Sequence, residues 1–563
     1  MIPIALPRSL LFFAVATIAA AQPSVLLDTM SQELTRNFTI LKEKADPAPY
    51  FLSYEITELD GRSLSASLGA IESANGGKSR TLDVSVRVGS PHLDNYHRVR
   101  GSSGQFTFGS SLTFEDNPAS IRQRLWLDTD RSYRAAAERL IRIKTNTEVN
   151  VAAADDSDDF SSEQPSVSVQ SPAPLKFDEE AWKERIRRLS ARFGNYPSVL
   201  NSHVSVAAQS DTRYFVNTEG SRIEYGRGFA RVVISASAKA TDGTDLNTFD
   251  TFEAVDPDGL PNDKVLLAAI DRVANDLSAL LKAPEAEPFV GPAIFSGRAA
   301  GVFFHEIFGH RVEGHRQKDE NEGQTFTKSV GTNVLPAFLS VLFDPTKRKI
   351  AGVDLNGWYD YDDEGVKARP VLAVENGVLQ TFLMSRSPIK GFNQSNGHGR
   401  RQPGFEVVSR QSNLIVESAK AVSDAQLRQM LLDEVKKQNK PYGLFFRDIT
   451  GGFTTTARAG LQAFKVIPVI VYRVYADGRP DELVRGADIV GTPLASFSKI
   501  LATSDKPEVF NGYCGAESGS VPVSAVSPAI LVSEIEIEKK AKSNDRPPLL
   551  PQPTDMEGRG VAR

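Results

Sequence analysis

Stretches that alternate apolar and polar residues recur along the whole chain and limit its fold more than any other feature. Residues 50–56 and 82–88 alternate in this way near the start. Residues 231–238, 464–475 and 521–537 are strand-like further on. A period of two sends successive side chains to opposite faces of a strand. Between these stretches lie a few segments with helical periodicity: residues 132–144, 180–193 and 264–281. The mixture predicts an α+β fold, with an N-terminal α/β domain followed by a mostly antiparallel, β-rich C-terminal domain. A chain of 563 residues exceeds what one core usually holds, so at least two domains are expected. Residues 283–286 mark the expected boundary, giving domains over 22–284 and 285–542.

Local signals refine this outline. Arg8, an apolar run over 10–18 and Ala19-Ala20-Ala21 read as a cleavable export signal over residues 1–21, which places the mature chain in a periplasmic or extracellular setting. No other stretch is apolar enough to suggest stable membrane insertion. Residues 151–175, with Asp155-Asp156-Ser157-Asp158-Asp159, read as an exposed, partly disordered insertion, and residues 543–563 as a disordered tail. Asn262 or Asp263 is placed to cap the helix over 264–281, and Ser296 to cap one running through His310. Ser423 and Gln426 form a capping box. Thr492-Pro493 is expected to open a short helix to Ala502. Asn356-Gly357 and Asn376-Gly377 suggest hairpin turns. The acidic run Asp354, Asp360, Asp362, Asp363 and Glu364 lacks calcium-loop spacing and reads as a loop. A net charge of −5 gives no sign of nucleic-acid binding.

The chemistry concentrates elsewhere. Of seven histidines, His305, His310 and His315 fall within eleven positions. Imidazole is the commonest nitrogen ligand for zinc, and Glu306 beside His305 is placed to act as a general base on a water. The five-residue spacing is awkward, because on a regular helix it leaves two side chains about 140° apart. A π-type turn or an early helix end at Phe308–His310 would bring them together, and Gly309 would ease either. Local spacing alone leaves the third ligand open between His315 and the one cysteine, Cys514. Arg311, Glu313 and Arg316 are candidates for substrate or supporting contacts. Arg447 to Gly452 is a further cleft candidate, with no residue singled out.

His305-Glu306-x-x-x-His310, the following Arg311-Val312-Glu313-Gly314-His315, and Asn511-Gly512-Tyr513-Cys514-Gly515 leading to Gly519-Ser520-Val521-Pro522-Val523 resemble the TldD/PmbA family of metallopeptidases, and more the TldD type. The resemblance implies one Zn2+ per chain held by His305, His310 and Cys514, with water in the fourth position and Glu306 as catalytic base. It leaves His315 and Arg311 as supporting residues or, for His315, an alternative ligand. It also implies action on unfolded or extended peptides. The partner would be a second copy, giving a homodimer, or a PmbA-like subunit, giving a heterodimer. The competing readings are a non-catalytic peptide-binding or maturation partner with a structural metal, and a metal-dependent amidase acting on cell-wall peptides.

Overall fold

The computed structural model describes residues 24–98, 107–147, 155–170, 174–458, 464–491, 496–542 and 545–550. The expected export signal therefore lies outside the described residues, as does most of the expected tail. Among the described residues no helix is long and apolar enough to cross a membrane.

The fold is α+β, and its strands fall into two large sheets. The first contains β1 (Pro49–Ser67), β2 (Ala70–Val88), β3 (Ser110–Ser111), β4 (Val167–Val169), β5 (Asn201–Asn217), β6 (Arg222–Lys239) and β7 (Asp245–Ala254). They lie in the order β3-β2-β1-β5-β6-β4, with β7 also on β6. All these pairings are antiparallel except β4 with β6. Period-two alternation sorts the faces. Leu52, Tyr54 and Ile56 of β1 join a core with helices α1 (Val25–Lys44) and α2 (Pro118–Thr147). Leu64 and Ala66, on the same face of β1, join a core with α3 (Glu179–Ser190) and α4 (Asp263–Lys282). The opposite face meets the C-terminal half. There Glu55 accepts from Arg401 Nη2 at 2.6 Å and from Arg213 Nη1 at 3.1 Å.

The second sheet is built from β8 (Phe289–Phe295), β9 (Leu339–Phe343), β10 (Val371–Glu375), β11 (Asn413–Ser418), β12 (Gly443–Thr454), β13 (Phe464–Val474), β14 (Ala487–Gly491), β15 (Ile500–Ala516) and β16 (Gly519–Lys539). The long strand β16 organises it, pairing with β8, β11, β14 and β15. The path β8-β16-β14-β13-β12 returns to β8 and closes a ring. Helix α5 (Gly297–Ile307) lies on β16 because its contact face is small. A Cβ on Gly297 would stand 2.5 Å from Ser527 O, and one on Gly301 would stand 2.9 Å from Ala525 O. Two further helices follow, α6 (His315–Lys318) and α7 (Asp424–Lys437), the latter with the capping box of Ser423 and Gln426.

Several local expectations need correction. Over residues 155–170 the acidic segment is anchored at Asp159 to Ser161, whereas Asp156 and Asp158 are exposed as expected. Phe160 is buried against Phe51 and the Arg386 guanidinium, and Lys318 Nζ donates to the Ser157 and Asp158 carbonyls. Helix α2 begins well before residue 132, because Asn117 caps it ahead of Pro118. Residues Ile500 to Ala502 are strand, held by pairing with β16, rather than the end of a helix. Asn376 and Gly377 form the expected turn, both with positive φ. Asn356-Gly357 is a turn but not a hairpin turn, and neither residue has a positive φ. Asn356 is fully buried, and Gly357 is small because Ser412 O would stand 2.6 Å from a Cβ there. The acidic run is the expected loop, held in place by hydrogen bonds. Asp362 accepts from Gly399 N at 3.0 Å and Asp363 from Arg401 N at 2.6 Å.

Candidate metal centre

The geometry of the centre follows from how α5 ends. The helix stops at Ile307, and Gly309–Val312 continue as a tighter 3-10 turn. This is the early end that the five-residue spacing demands. A helix that stops leaves its last carbonyls without partners. Here side chains meet them. Gln411 Nε2 donates to His305 O at 3.2 Å. Arg311 Nη1 donates to Glu306 O at 3.2 Å and Ile307 O at 2.9 Å, and to Thr454 Oγ1 of β12 at 3.0 Å. Arg311 therefore caps the helix with a cation at its negative end and fastens it to β12. Gly309 is needed for space rather than for an unusual φ, since a Cβ there would lie 1.9 Å from Gln411 Oε1.

His305, at the end of α5, and His310, in the 3-10 turn, meet Cys514 of β15. His305 Nε2 is 3.2 Å and His310 Nε2 3.3 Å from Cys514 Sγ. The three ligand atoms lie within 4.8 Å of one another, and all three residues are buried. Burial pushes the Cys514 thiol up, but the imidazoles of His310 and His305 outweigh it and hold the thiol well below its ordinary range. Burial likewise opposes a charge on His310, but Cys514 and then Glu313 outweigh it and raise that imidazole. Electron-rich sulfur and two ring nitrogens at such separations call for a cation between them. The donor set fits zinc, for which ordinary bond lengths and tetrahedral angles put sulfur and nitrogen ligands about 3.5 Å apart.

The surroundings orient these groups. His310 Nδ1 faces Glu313 Oε2 at 3.2 Å, which leaves Nε2 for the centre. Glu313 is fully buried. Burial raises its carboxyl, yet His310, Arg316 and Arg410 override that and hold it below the usual carboxylate range. Arg316 Nε donates to Glu313 at 2.8 Å. Arg410 donates to Cys514 O at 2.6 Å and Ser518 Oγ at 2.7 Å, so it fixes the β15–β16 hairpin that presents the cysteine. Asn356 supports the same hairpin, donating to Asn511 Oδ1, Ser524 Oγ and Gly512 O. His315 is paired with Glu517 and stands apart from the three-residue group.

A cavity of about 540 Å³ opens over the group. Its floor is α5, with Arg298, Val302, His305 and Glu306. One wall is the segment from Thr450 to Thr456, and the other runs from Phe510 to Glu517. Thr456 and Glu517 share one end through Arg316, whereas Phe510 and Asp448 share the other through Arg298. Glu306 is half-buried beside the group, and Gly452 gives it room: a Cβ at 452 would lie 2.9 Å from Glu306 Cγ. Among the described residues, the pairings of β12 beyond Phe446 are with β13 alone. Sequence reasoning named the 447–452 segment without choosing a residue. It missed Arg410 and Gln411, which carry no local motif and gain meaning only through contacts.

Fold and site together define an α+β protein with a candidate His-His-Cys centre and a carboxylate beside it. Residues 290–539 match the family model described as the PmbA/TldA metallopeptidase C-terminal domain. A metalloprotease of Methanocaldococcus jannaschii is 28% identical over 55% of this chain and 64% of its own length. A zinc metalloprotease TldD homolog of Saccharolobus solfataricus is 24% identical over 49% of this chain and 56% of its own. The chain thus spans between half and two thirds of the length of these relatives. The crystal structure of TldE from Thermococcus kodakarensis superposes with a TM-score of 0.60 at 13% identity, covering 91% of this chain and 100% of that one, a likeness of fold. Residues 290–539 thus carry the C-terminal domain of the PmbA/TldA metallopeptidases.

Proposed function

We propose that this chain is a zinc-dependent peptidase acting on extended or unfolded peptides. The observation that carries the reading is the convergence of His305, His310 and Cys514 on the floor of an open slot, with Glu306 beside them. When bound, zinc would supply a Lewis acid for the scissile carbonyl and acidify a water. His305, His310 and Cys514 would hold it, and the Saccharolobus relative is itself named a zinc metalloprotease. The Glu306 carboxylate takes a proton from the attacking water and passes it to the leaving amine. The unpaired edge of β12 gives a substrate main chain hydrogen-bonding partners with little demand on side chains. A second copy, or a PmbA-like subunit, covers the slot and restricts it to flexible chains.

The test is zinc content and peptide cleavage of the purified chain beside Glu306→Gln and Cys514→Ala. The reading expects one zinc per chain, kept in Glu306→Gln with cleavage falling by at least about 100-fold, and lost in Cys514→Ala. Cleavage by Glu306→Gln at the wild-type rate would overturn the role of Glu306. Full zinc content in Cys514→Ala would overturn the ligand set.

A further inference from the structure

The slot carries a second chemical signal at the end away from Arg316. Arg298 and His305 both line the cavity from α5, seven residues apart. Seven residues turn a helix through about 700°, which brings the two onto one face about 10 Å apart along the axis. Arg298 is incompletely paired. Its Nε is buried with no hydrogen-bond partner, and Asp448 stands 3.7 Å away, beyond hydrogen-bond range. Its Nη2 donates to Thr251 Oγ1 at 3.3 Å. The guanidinium lies over the rings of Phe510 and Phe249, which fix its plane. The helix terminus itself is already taken, since Glu508 Oε2 accepts from Arg298 N at 2.8 Å. A second arginine, Arg231, lines the same end, held by Glu253 and by Asn511 O. Glu253, Asp448 and Glu508 are not among the cavity-lining residues.

We infer that this end of the slot is a carboxylate-binding subsite, which selects peptides bearing an acidic side chain or a terminal carboxylate about three residues from the scissile bond. The spacing follows from the helix. About 10 Å corresponds to three residues of extended chain at about 3.3 Å each. A planar guanidinium presents its donors to a carboxylate as a rigid fork. The inference rests on the peptidase reading for the position of the scissile bond, but not for the binding of the carboxylate.

The experiment uses the full chain loaded with zinc and carrying Glu306→Gln, so that peptides bind without turnover. Fluorescence anisotropy measures its affinity for a neutral peptide amide, for the same peptide with one aspartate scanned along it, and for the same peptide with a free C-terminal carboxylate. The aspartate and carboxylate series separate the two sources of the anion. One aspartate position, or the free terminus, is expected to bind about ten-fold tighter than the neutral amide. Adding Arg298→Gln should bring that ratio to about one, whereas Arg298→Lys retains part of it. Mass spectrometry of wild-type digests should place the favoured carboxylate two to four residues from the cut. Equal affinity across the series, or a ratio unchanged in Arg298→Gln, overturns the subsite. A preference that depends on Arg298 in a chain whose wild type cleaves nothing overturns the peptidase reading and leaves the subsite standing. Cleavage without any preference does the reverse.

Discussion

Two buried residues set the terms at the finest scale. Glu313 holds the ring of His310 and is itself gripped by Arg316 and Arg410. Glu313→Gln keeps the shape but removes the charge that orients the imidazole. Zinc affinity, read by competition with a chelator, should fall about 10- to 100-fold. His398 is different in kind. It is fully buried, with Nδ1 donating to Asn396 O and Nε2 accepting from Ser412 Oγ, so it is held neutral. Burial pulls it down to about 3 from an ordinary 6.5. A histidine depressed on folding contributes stability above its unfolded value and loses it as pH falls between about 6.5 and 3. Lowering the pH from 6.5 to 5 should therefore cost about 2 kcal/mol at this one residue. His398→Gln should flatten that part of the pH–stability curve measured by urea unfolding. His305, Glu306 and His310 were visible in the sequence as a motif. Glu313 was visible only as a neighbour of that motif, and Arg410 not at all, because its partners lie about a hundred residues away in the chain.

Among elements, the end of α5 decides the centre. The five-residue spacing of the histidines already required an irregular end, and the structure supplies one at Ile307. Its cause could not be read locally, because Gln411 and Arg311 satisfy the last carbonyls and Gly309 makes way for Gln411. Gly309→Ala should expel the Gln411 amide, lower stability by about 1–3 kcal/mol and reduce the zinc retained on dialysis. A wild-type zinc content and melting temperature in this variant would show that Gln411 is dispensable. Strands were easier to recognise than to end. The period-two runs located β1, β2, β6, β13 and β16, whereas Ile500 to Ala502 took strand form through pairing with β16, a partner that no local pattern names. The Asn356-Gly357 pair misled for a similar reason. Its small residue serves a close approach to Ser412, in a turn that joins no pair of strands.

At the scale of the whole molecule, the two sheets are joined through buried charge. Glu55 takes Arg213 and Arg401, Asp363 takes Arg213, and Arg227 reaches the carbonyls of Trp358 and Asn356. Burial raises the Glu55 carboxyl, but Arg401 and then Arg213 bring it below its ordinary value. Glu55→Gln leaves two buried guanidinium groups short of a partner, at a cost of about 3–5 kcal/mol. Because the loss falls at the contact between the halves, calorimetry should show unfolding split into two transitions where the wild type shows fewer. This joint was hidden in the sequence, since long strands with charged residues on one face look like strands facing solvent. Only the assembled fold reveals that the charged face is an interior one.

The donors of the candidate centre stand 209 and 204 residues apart along the chain, His305 and His310 on one side and Cys514 on the other. A ribosome making this protein therefore releases the histidines long before the thiol. Until residue 514 emerges the three donors cannot meet, and the strand that carries helix α5 is made later still, over 519–539. The centre therefore cannot assemble until most of the chain has been made.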